Sequence, residues 1–173
     1  MGIEIERKYL VTDEAWRAQS VRAQRMVQGY LIDASLVQSQ TGTRCSIRVR
    51  IGGEQAWLNI KSATLGVERL EYDYPIPVAD AERMLREFCN GTVEKVRHYI
   101  PHAGLTFEVD EFLGDNAGLI VAEVELRSAD QAIDKPAWLG HEVTQHLRYY
   151  NLNLLQHPYS RWNERERAGE QAC

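Results

Sequence analysis

Charged and apolar residues alternate along most of this chain, and that alternation constrains its fold more than any other feature. The first segment reads MGIEIERKYLV and places Glu4, Glu6 and Lys8 two residues apart. Side chains of a β-strand point alternately to its two faces, so these three charges share one face and Ile3 and Ile5 take the other. The chain therefore begins with a strand that has one charged face and one apolar face.

The same alternation predicts eight strands, each bounded by residues typical of turns. They are expected over residues 2–11, 26–32, 43–51, 55–62, 69–75, 92–100, 105–113 and 119–127. Apolar residues at spacings of three and four predict an amphipathic helix over residues 78–89, expected to pack on the outer apolar face over Leu70, Tyr72 and Val96. Shorter helices are expected over 12–19 and 138–156. The predicted fold is mainly β with some helix (α+β): one antiparallel domain over residues 1–157 and a charged C-terminal tail over 158–173, expected to be frayed or solvated.

Composition narrows the classes of protein that this chain can belong to. Its formal net charge of −5 argues against a general nucleic-acid binder, which would be basic overall. Cys45, Cys89 and Cys173 have no CxxC spacing, which predicts reduced thiols and a cytoplasmic location. No apolar run approaches the roughly 20 residues of a membrane helix. We therefore expect no nucleic-acid partner and no membrane association.

The charged faces of the predicted strands carry eight acids and eight bases, and several strands pair two charges of the same sign. The paired acids are at 4/6, 108/110 and 123/125, and the paired bases are at 48/50 and 95/97. The acidic positions are Glu4, Glu6, Glu71, Asp73, Glu108, Asp110, Glu123 and Glu125. The basic positions are Lys8, Arg48, Arg50, Lys61, Arg69, Lys95, Arg97 and Arg127. Like charges two residues apart on one face repel each other unless a counter-ion or a substrate lies between them.

Two architectures account for these rows. Alternation alone is equally typical of an open antiparallel sheet with one face on the core and one in water. The separation of the signs by strand favours a sheet closed into a barrel with the charges inside. Eight strands are about the number that can enclose a small ligand. Such a barrel would contain a hydrated channel, acidic along one wall and basic along another.

A channel of this kind suits a metal-bound polyphosphate. Adjacent carboxylates are hard oxygen ligands for Mg²⁺ or Mn²⁺, and magnesium commonly combines a few carboxylates with substrate phosphates. Arginine contacts phosphate oxygens at two points and lysine acts as a point charge. The chain has no Walker-type glycine loop, kinase signature or GxGxxG, so the phosphates would not lie in a familiar nucleotide cradle.

The ordered motifs resemble the CYTH family, the triphosphate tunnel metalloenzymes. The hallmark of that family is an N-terminal ExExK, here Glu4 to Lys8. The other matching segments follow in order: QGYL (28–31), RVR (48–50), NIK (59–61), RLEYDYPI (69–76), EKVR (94–97), FEVDEFLG (107–114), AEVEL (122–126) and YYNLNLL (149–155). The resemblance covers about 155 residues, and ExExK alone would be a weak signal.

The resemblance implies a closed eight-stranded antiparallel barrel that acts on triphosphates with a divalent metal, Mg²⁺ or Mn²⁺. By analogy, Glu4, Glu6 and Glu125 would hold one metal, and Asp110 with Glu123 would serve a second. The substrate-binding residues implied are Lys8, Arg48, Arg50, Lys61, Arg69, Lys95 and Arg97. Glu71, beside Arg69, is open to two interpretations: a part of the site, or a partner that orients a neighbouring base.

In short bacterial members of the family, a tyrosine and a lysine are thought to activate the attacking water. The matching residues here are Tyr30 and Lys61. A nearby ammonium group would lower the pKa of the phenol and make it a feasible base. The alternative is that Tyr30 only positions the water.

The leading functional hypothesis is an inorganic triphosphatase that cleaves tripolyphosphate to pyrophosphate and phosphate, because ERK and YPIPV (74–78) resemble bacterial members with that activity. Within the family, a class IV adenylate cyclase and a thiamine triphosphatase remain open. From another class, a non-catalytic polyphosphate-binding module remains open. The expected partner is a small-molecule triphosphate, and the oligomeric state, a homodimer included, is left open.

Overall fold

The computed structural model describes residues 2–32, 45–62 and 68–169, and the side chains of these ranges apart from those of residues 2, 3, 32, 68 and 69. The strands are β1 (Gly2–Val11), β2 (Arg22–Ile32), β3 (Cys45–Gly52), β4 (Gln55–Ser62), β5 (Glu68–Ile76), β6 (Val93–His102), β7 (Leu105–Phe112), β8 (Ile120–Glu125) and β9 (Leu139–Glu142). The α-helices are α1 (Val78–Phe88), α2 (Asn151–Gln156) and α3 (Glu164–Arg167). Short 3₁₀ helices occur at Ala15–Gln19, Gly114–Asn116, Leu147–Tyr149 and Tyr159–Arg161.

The nine strands of the described residues all belong to one antiparallel sheet, in the order β5-β4-β3-β2-β6-β7-β8-β1-β9. Strand β1 forms an additional pairing with β5, which aligns Gly2–Ile5 with Glu68–Glu71. The prediction of eight strands is therefore wrong in its count. The first eight strands lie close to their predicted positions, and the first two residues of the strand expected over 43–51 are outside the described residues.

Strand β1 extends beyond the residues that pair with β5, and its second half pairs with the ninth strand, β9. Residues 2–5 of β1 pair with β5, whereas Tyr9 and Val11 pair with β9, in a segment that the sequence predicts to be helical. On either side of these pairs, Val143 N–H donates to the Lys8 carbonyl and Thr12 N–H donates to the Trp138 carbonyl. Because an uncovered strand edge leaves backbone groups without partners, β9 completes the hydrogen bonding of β1.

Helix α1 is confirmed by the structure but packs on other strands than predicted. Its buried Ala81, together with Met84 and Leu85, joins a cluster with Val49 and Ala56 on β3 and β4. The prediction that it covers Leu70, Tyr72 and Val96 is wrong for Leu70, which is 51% exposed. Amphipathicity selects the buried face of a helix but does not select the strands that receive it.

The C-terminal residues are more ordered than the sequence suggests. Asn163 caps α3 in a reciprocal capping box with Glu166, and Trp162 is buried with Tyr149 and Leu154. Residues 159–161 and 164–167 therefore form short helices instead of a frayed end, whereas most of their side chains are exposed, as the charge pattern indicates.

The cluster that holds Trp162 lies on the charged face of the sheet. Its members Phe112 and Val121 pair with Lys95 and Asp110, so they share that face. The C-terminal segment therefore covers an apolar end of the face that carries the charged rows. A second apolar cluster, around Trp16, Phe107, Val109 and Trp138, covers part of the opposite face.

Candidate active site

The charged rows predicted from the sequence meet on one face of the sheet. Directly opposed residues on neighbouring strands share a face. The opposed pairs are Glu6 with Glu125, Lys8 with Glu123, Arg97 with Asp110, Glu108 with Glu123, Lys61 with Glu71, Arg48 with Tyr30 and Arg50 with Gln28. Acids and bases that are distant in sequence thus become neighbours.

Arg97 is the centre of a tight buried network. Its Nε and Nη2 donate to the two carboxylate oxygens of Asp110 at 2.7 and 2.6 Å, and Nη2 also donates to Glu123 Oε2 at 2.5 Å. Its Nη1 contacts Glu108. Burial alone would lower the pKa of Arg97, but Asp110 and Glu123 raise it well above its usual value. This guanidinium is held charged and in a fixed orientation.

Lys8 and Lys61 form ion pairs with the N-terminal carboxylates Glu6 and Glu4 on the same face. Lys8 Nζ donates to Glu6 Oε1 at 2.5 Å and also contacts Glu123, while Lys61 Nζ donates to Glu4 Oε2 at 2.8 Å. Burial would lower the pKa of Lys8, but Glu123 and Glu6 raise it above its ordinary value. Burial would raise the pKa of Glu123, but Lys8 and Arg97 hold it well below its usual range. Lys61 also lies 3.2 Å from Glu71.

A second group of carboxylates gathers where β1 meets β8. Glu6 and Glu125 are directly opposed across the two strands. Like charges in that position destabilise a sheet. Burial, followed by the repulsion of Glu4 and Glu6, raises the pKa of Glu125. Lys8 and Lys61 therefore offset the repulsion among these carboxylates only in part.

The basic side chains on β3 have looser partners. Arg48 Nη2 lies 3.9 Å from Glu71, and Arg50 Nη2 lies 3.7 Å from Asp73, beyond hydrogen-bonding distance in both cases. Burial, and then the neighbouring Arg48, lowers the pKa of Arg50. This part of the face has more positive charge than its carboxylates balance closely.

Lys95 is the most deeply buried amine of the face. It contacts Asp110 and lies 5.6 Å from the centre of the Phe112 ring. Burial and the adjacent Arg97 lower the pKa of Lys95 to about 8, although Asp110 acts in the opposite direction. An amine with that pKa changes its charge between about pH 7 and pH 9.

The two residues predicted to activate water lie on strands separated by β3. Tyr30 on β2 is opposite Arg48, and Lys61 on β4 is opposite Ser46 of the same β3 strand. Arg69 pairs with Glu4 through the backbone, but its side chain is outside the described residues. The roles assigned to these residues by sequence remain predictions.

The described carboxylates of this face have the donor atoms, but not the arrangement, of a site for the metal that the resemblance implies. Among residues 2–32, 45–62 and 68–169, no three His, Cys, Asp or Glu side chains converge in a metal-binding arrangement. Lysines contact Glu4 and Glu6 instead. The donors are nevertheless of the right chemical kind, because Glu4, Glu6 and Glu125 offer the oxygen ligands that Mg²⁺ and Mn²⁺ prefer.

Two polar residues of this face were not selected as site residues from the sequence. Gln28 and Asn59 are both 0% exposed and lie opposite Arg50 and Arg48. The available signal was their position in the alternating rows, where they occupy the places that charged residues take on other strands. Neutral amides at such positions are equally common in ordinary sheets, so the sequence did not distinguish them.

Comparison with known proteins decides the family. A model of the CYTH domain matches residues 2–159. The chain belongs to the CYTH family. In the described part of this CYTH protein, no helix is both long and apolar enough to span a membrane.

Relatives of this CYTH protein match it along almost their whole length. It is 39% identical over 165 residues to an inorganic triphosphatase of Acetivibrio thermocellus, covering 95% of this chain and 100% of the relative. An inorganic triphosphatase of Nitrosomonas europaea is 34% identical over 155 residues, covering 87% and 95% of the two chains. A crystal structure of the inorganic triphosphatase NE1496 superposes with a TM-score of 0.63 at 32% identity, covering 89% of this chain and 95% of that one.

Proposed function

We propose that this CYTH protein hydrolyses inorganic tripolyphosphate to pyrophosphate and phosphate. The observation that carries the proposal is the meeting of acidic and basic rows on one sheet face, in a chain similar along its length to inorganic triphosphatases. The enzyme is a hydrolase of phosphoanhydride bonds, and its expected partner is the small triphosphate itself.

Strands β1 to β8 are inferred to enclose a channel around this face. The additional pairing of β1 with β5 supports the inference, because these strands stand near opposite ends of the sheet order. The C-terminal cluster around Trp162 supports a channel with one covered end. A channel of this kind would exclude bulk water from the reacting phosphates and so strengthen every charge interaction inside.

The proposed cofactor is Mg²⁺ or Mn²⁺, held by Glu4, Glu6 and Glu125. The opposed position of Glu6 and Glu125 supports this set, since a bound cation would offset their repulsion. Asp110 and Glu123 are the expected ligands of a second ion. Both carboxylates hold Arg97, so an ion there would have to displace a guanidinium group. An ion at the first set would have to displace the lysines from Glu4 and Glu6. No lysine or arginine among the described residues, however, holds Glu125 as Arg97 holds Asp110.

Phosphoryl transfer requires positioning, neutralisation of charge and a water in line with the leaving group. Arg48 and Arg50 are proposed to bind phosphate oxygens. Their nearest carboxylates lie beyond hydrogen-bonding distance, which supports this role. A bound divalent cation would add positive charge at those oxygens. Tyr30 is proposed to orient the attacking water or accept its proton, and the positive charge of Lys61 is proposed to favour the phenolate.

The deciding assay measures phosphate release from tripolyphosphate. ATP, thiamine triphosphate and pyrophosphate are assayed separately as alternative substrates. We expect release from tripolyphosphate with Mg²⁺ or Mn²⁺ and none with EDTA. Binding of tripolyphosphate without any turnover would instead indicate a non-catalytic polyphosphate-binding module. Formation of cyclic AMP from ATP would indicate an adenylate cyclase.

The proposed location is the cytoplasm. Cys45 and Cys89 are thiols without a disulfide, which supports a reducing compartment.

A further inference from the structure

Two buried amides on the charged face lack the hydrogen-bond partners that buried amides normally have. Gln28 has neither a donor for its Oε1 nor an acceptor for its Nε2, and the Nδ2 of Asn59 has no acceptor. Most buried polar side-chain atoms in folded proteins are partnered, and each one that is not costs stability. Both residues are 0% exposed, so bulk water does not satisfy them.

The two amides belong to the part of the face where the bases have loose partners. Gln28 is directly opposite Arg50, and Asn59 is directly opposite Arg48. The Nε of Arg50 is also buried without a hydrogen-bond partner. Among the described strand residues of this face, the buried donors that lack acceptors lie on β2, β3 and β4, whereas Arg97 and Lys8 on the other strands are held by carboxylates.

The orientation of the Asn59 amide follows from its neighbour. Arg48 Nε donates to Asn59 Oδ1 at 3.1 Å. A guanidinium group can only donate, so the atom that it contacts must be the amide oxygen. The NH₂ group of Asn59 is consequently turned away from Arg48 as a donor, and it needs an acceptor that the surrounding described residues do not supply.

We propose that Gln28 and Asn59 are substrate-binding residues whose side-chain amides donate hydrogen bonds to the oxygens of one phosphoryl group of tripolyphosphate, held between them with Arg48 and Arg50. This inference rests on the proposed function. An anionic oxygen supplies the missing acceptor, and hydrogen bonds to charged acceptors are about twice as strong as neutral ones.

Neutral donors suit this position for an electrostatic reason. Burial and Arg48 already lower the pKa of Arg50, so a further cation between these residues would add repulsion. An amide contributes a directed donor without adding charge. Gln28 and Asn59 therefore complete the coordination of a phosphoryl group that the two arginines alone would leave partly unpaired.

The test replaces each amide with an apolar side chain of similar shape, in Gln28→Met and Asn59→Leu. We expect Gln28→Met to keep or raise the melting temperature measured in EDTA without phosphate, because a buried amide without partners is removed. Asn59→Leu also removes the acceptor of Arg48 Nε, so its melting temperature should fall. We also expect the Kd for tripolyphosphate, measured by calorimetry in EDTA, to rise about tenfold or more. With Mg²⁺, KM should rise at least as much as kcat falls.

Two further variants control the test. Gln55→Met makes the same chemical change at an exposed position of β4 and should leave the Kd unchanged. Gln28→Glu keeps the shape of the side chain but cannot donate when ionised and adds a negative charge. It should weaken tripolyphosphate binding relative to the wild type, and more than Gln28→Met does. The comparison with the wild type remains valid if Gln28→Met folds poorly.

The possible results separate this inference from the proposed function. A lower melting temperature of Gln28→Met and Asn59→Leu with an unchanged Kd would mean that the amides are structural and would overturn the inference. Unchanged values for both measurements would also overturn it. Wild-type protein that binds tripolyphosphate without hydrolysing it would refute the proposed function alone, and the Kd comparison would still test the amides.

Discussion

Replacing Asp110 with asparagine should destabilise the protein strongly, because Asp110 balances two buried cations. The carboxylate is 0% exposed and accepts hydrogen bonds from Lys95 and from two nitrogens of Arg97. Removing one partner from a buried ion pair typically costs about 3–5 kcal/mol. Arg97 keeps Glu123 and Glu108, so the cost combines its lost hydrogen bonds to Asp110 with the unpaired charge of Lys95.

The expected loss can be expressed as a melting temperature. For a chain of this size, 1 kcal/mol corresponds to about 2–4 °C, so Asp110→Asn should melt about 6–20 °C below the wild type. The loss should be smaller at pH 9 than at pH 7, since Lys95, with a pKa of about 8, sheds its charge between them. Urea denaturation at both pH values, without metal or phosphate, measures the two free energies of unfolding.

A different result would assign Asp110 another role. If its main task were to join other carboxylates around a cation, neutralising it would relieve repulsion, and Asp110→Asn would be as stable as the wild type or more stable. A loss below about 1 kcal/mol, or one that grows from pH 7 to pH 9, would therefore refute the ion-pair interpretation.

Four other predictions concern the same face. At pH 8, tripolyphosphate should raise the lowered pKa of Lys95, so calorimetry in buffers of different ionisation enthalpy should show proton uptake that Lys95→Met reduces. Glu125→Gln should raise the melting temperature without metal, because the pKa of Glu125 is raised, yet it should weaken activation by Mg²⁺; a lower melting temperature would contradict this. Tyr30→Phe should lower kcat about 100-fold or more if the phenol is the base, and activity near wild type would leave it a positioning role. Lys61→Met should tighten the binding of Mn²⁺ alone, whereas Arg25→Met, which removes a charge from an exposed ion pair, should not.

The strands were predictable because their signal is local. Alternation is visible within each segment, and β1 to β8 therefore lie near their expected positions. Strand β9 has only four residues, too few for a pattern, and it forms because the far half of β1 needs a partner. Its existence depends on a tertiary contact, which one segment of sequence does not contain.

The composition of the site was predictable, but its partnerships were not. The rows identified Lys8, Arg97 and Asp110 as residues of one face, and cross-strand register confirms that they share it. Which acid holds which base depends on the stagger between strands. The missing acceptors of Gln28 and Asn59 are visible only when every neighbour is known.

The pairing of acids with bases also has a consequence for how metal and substrate bind. Lys61 contacts Glu4, and Lys8 contacts Glu6, so each lysine neutralises a proposed metal ligand. A triphosphate that attracted these lysines would release the carboxylates, which would then bind a divalent cation more strongly. A cation held by the carboxylates would release the lysines for the phosphate, and thermodynamic linkage would require the two effects to be equal. With the proposed ligands, the same charges that hold the sheet face together would therefore favour joint binding of metal and triphosphate over binding of either alone.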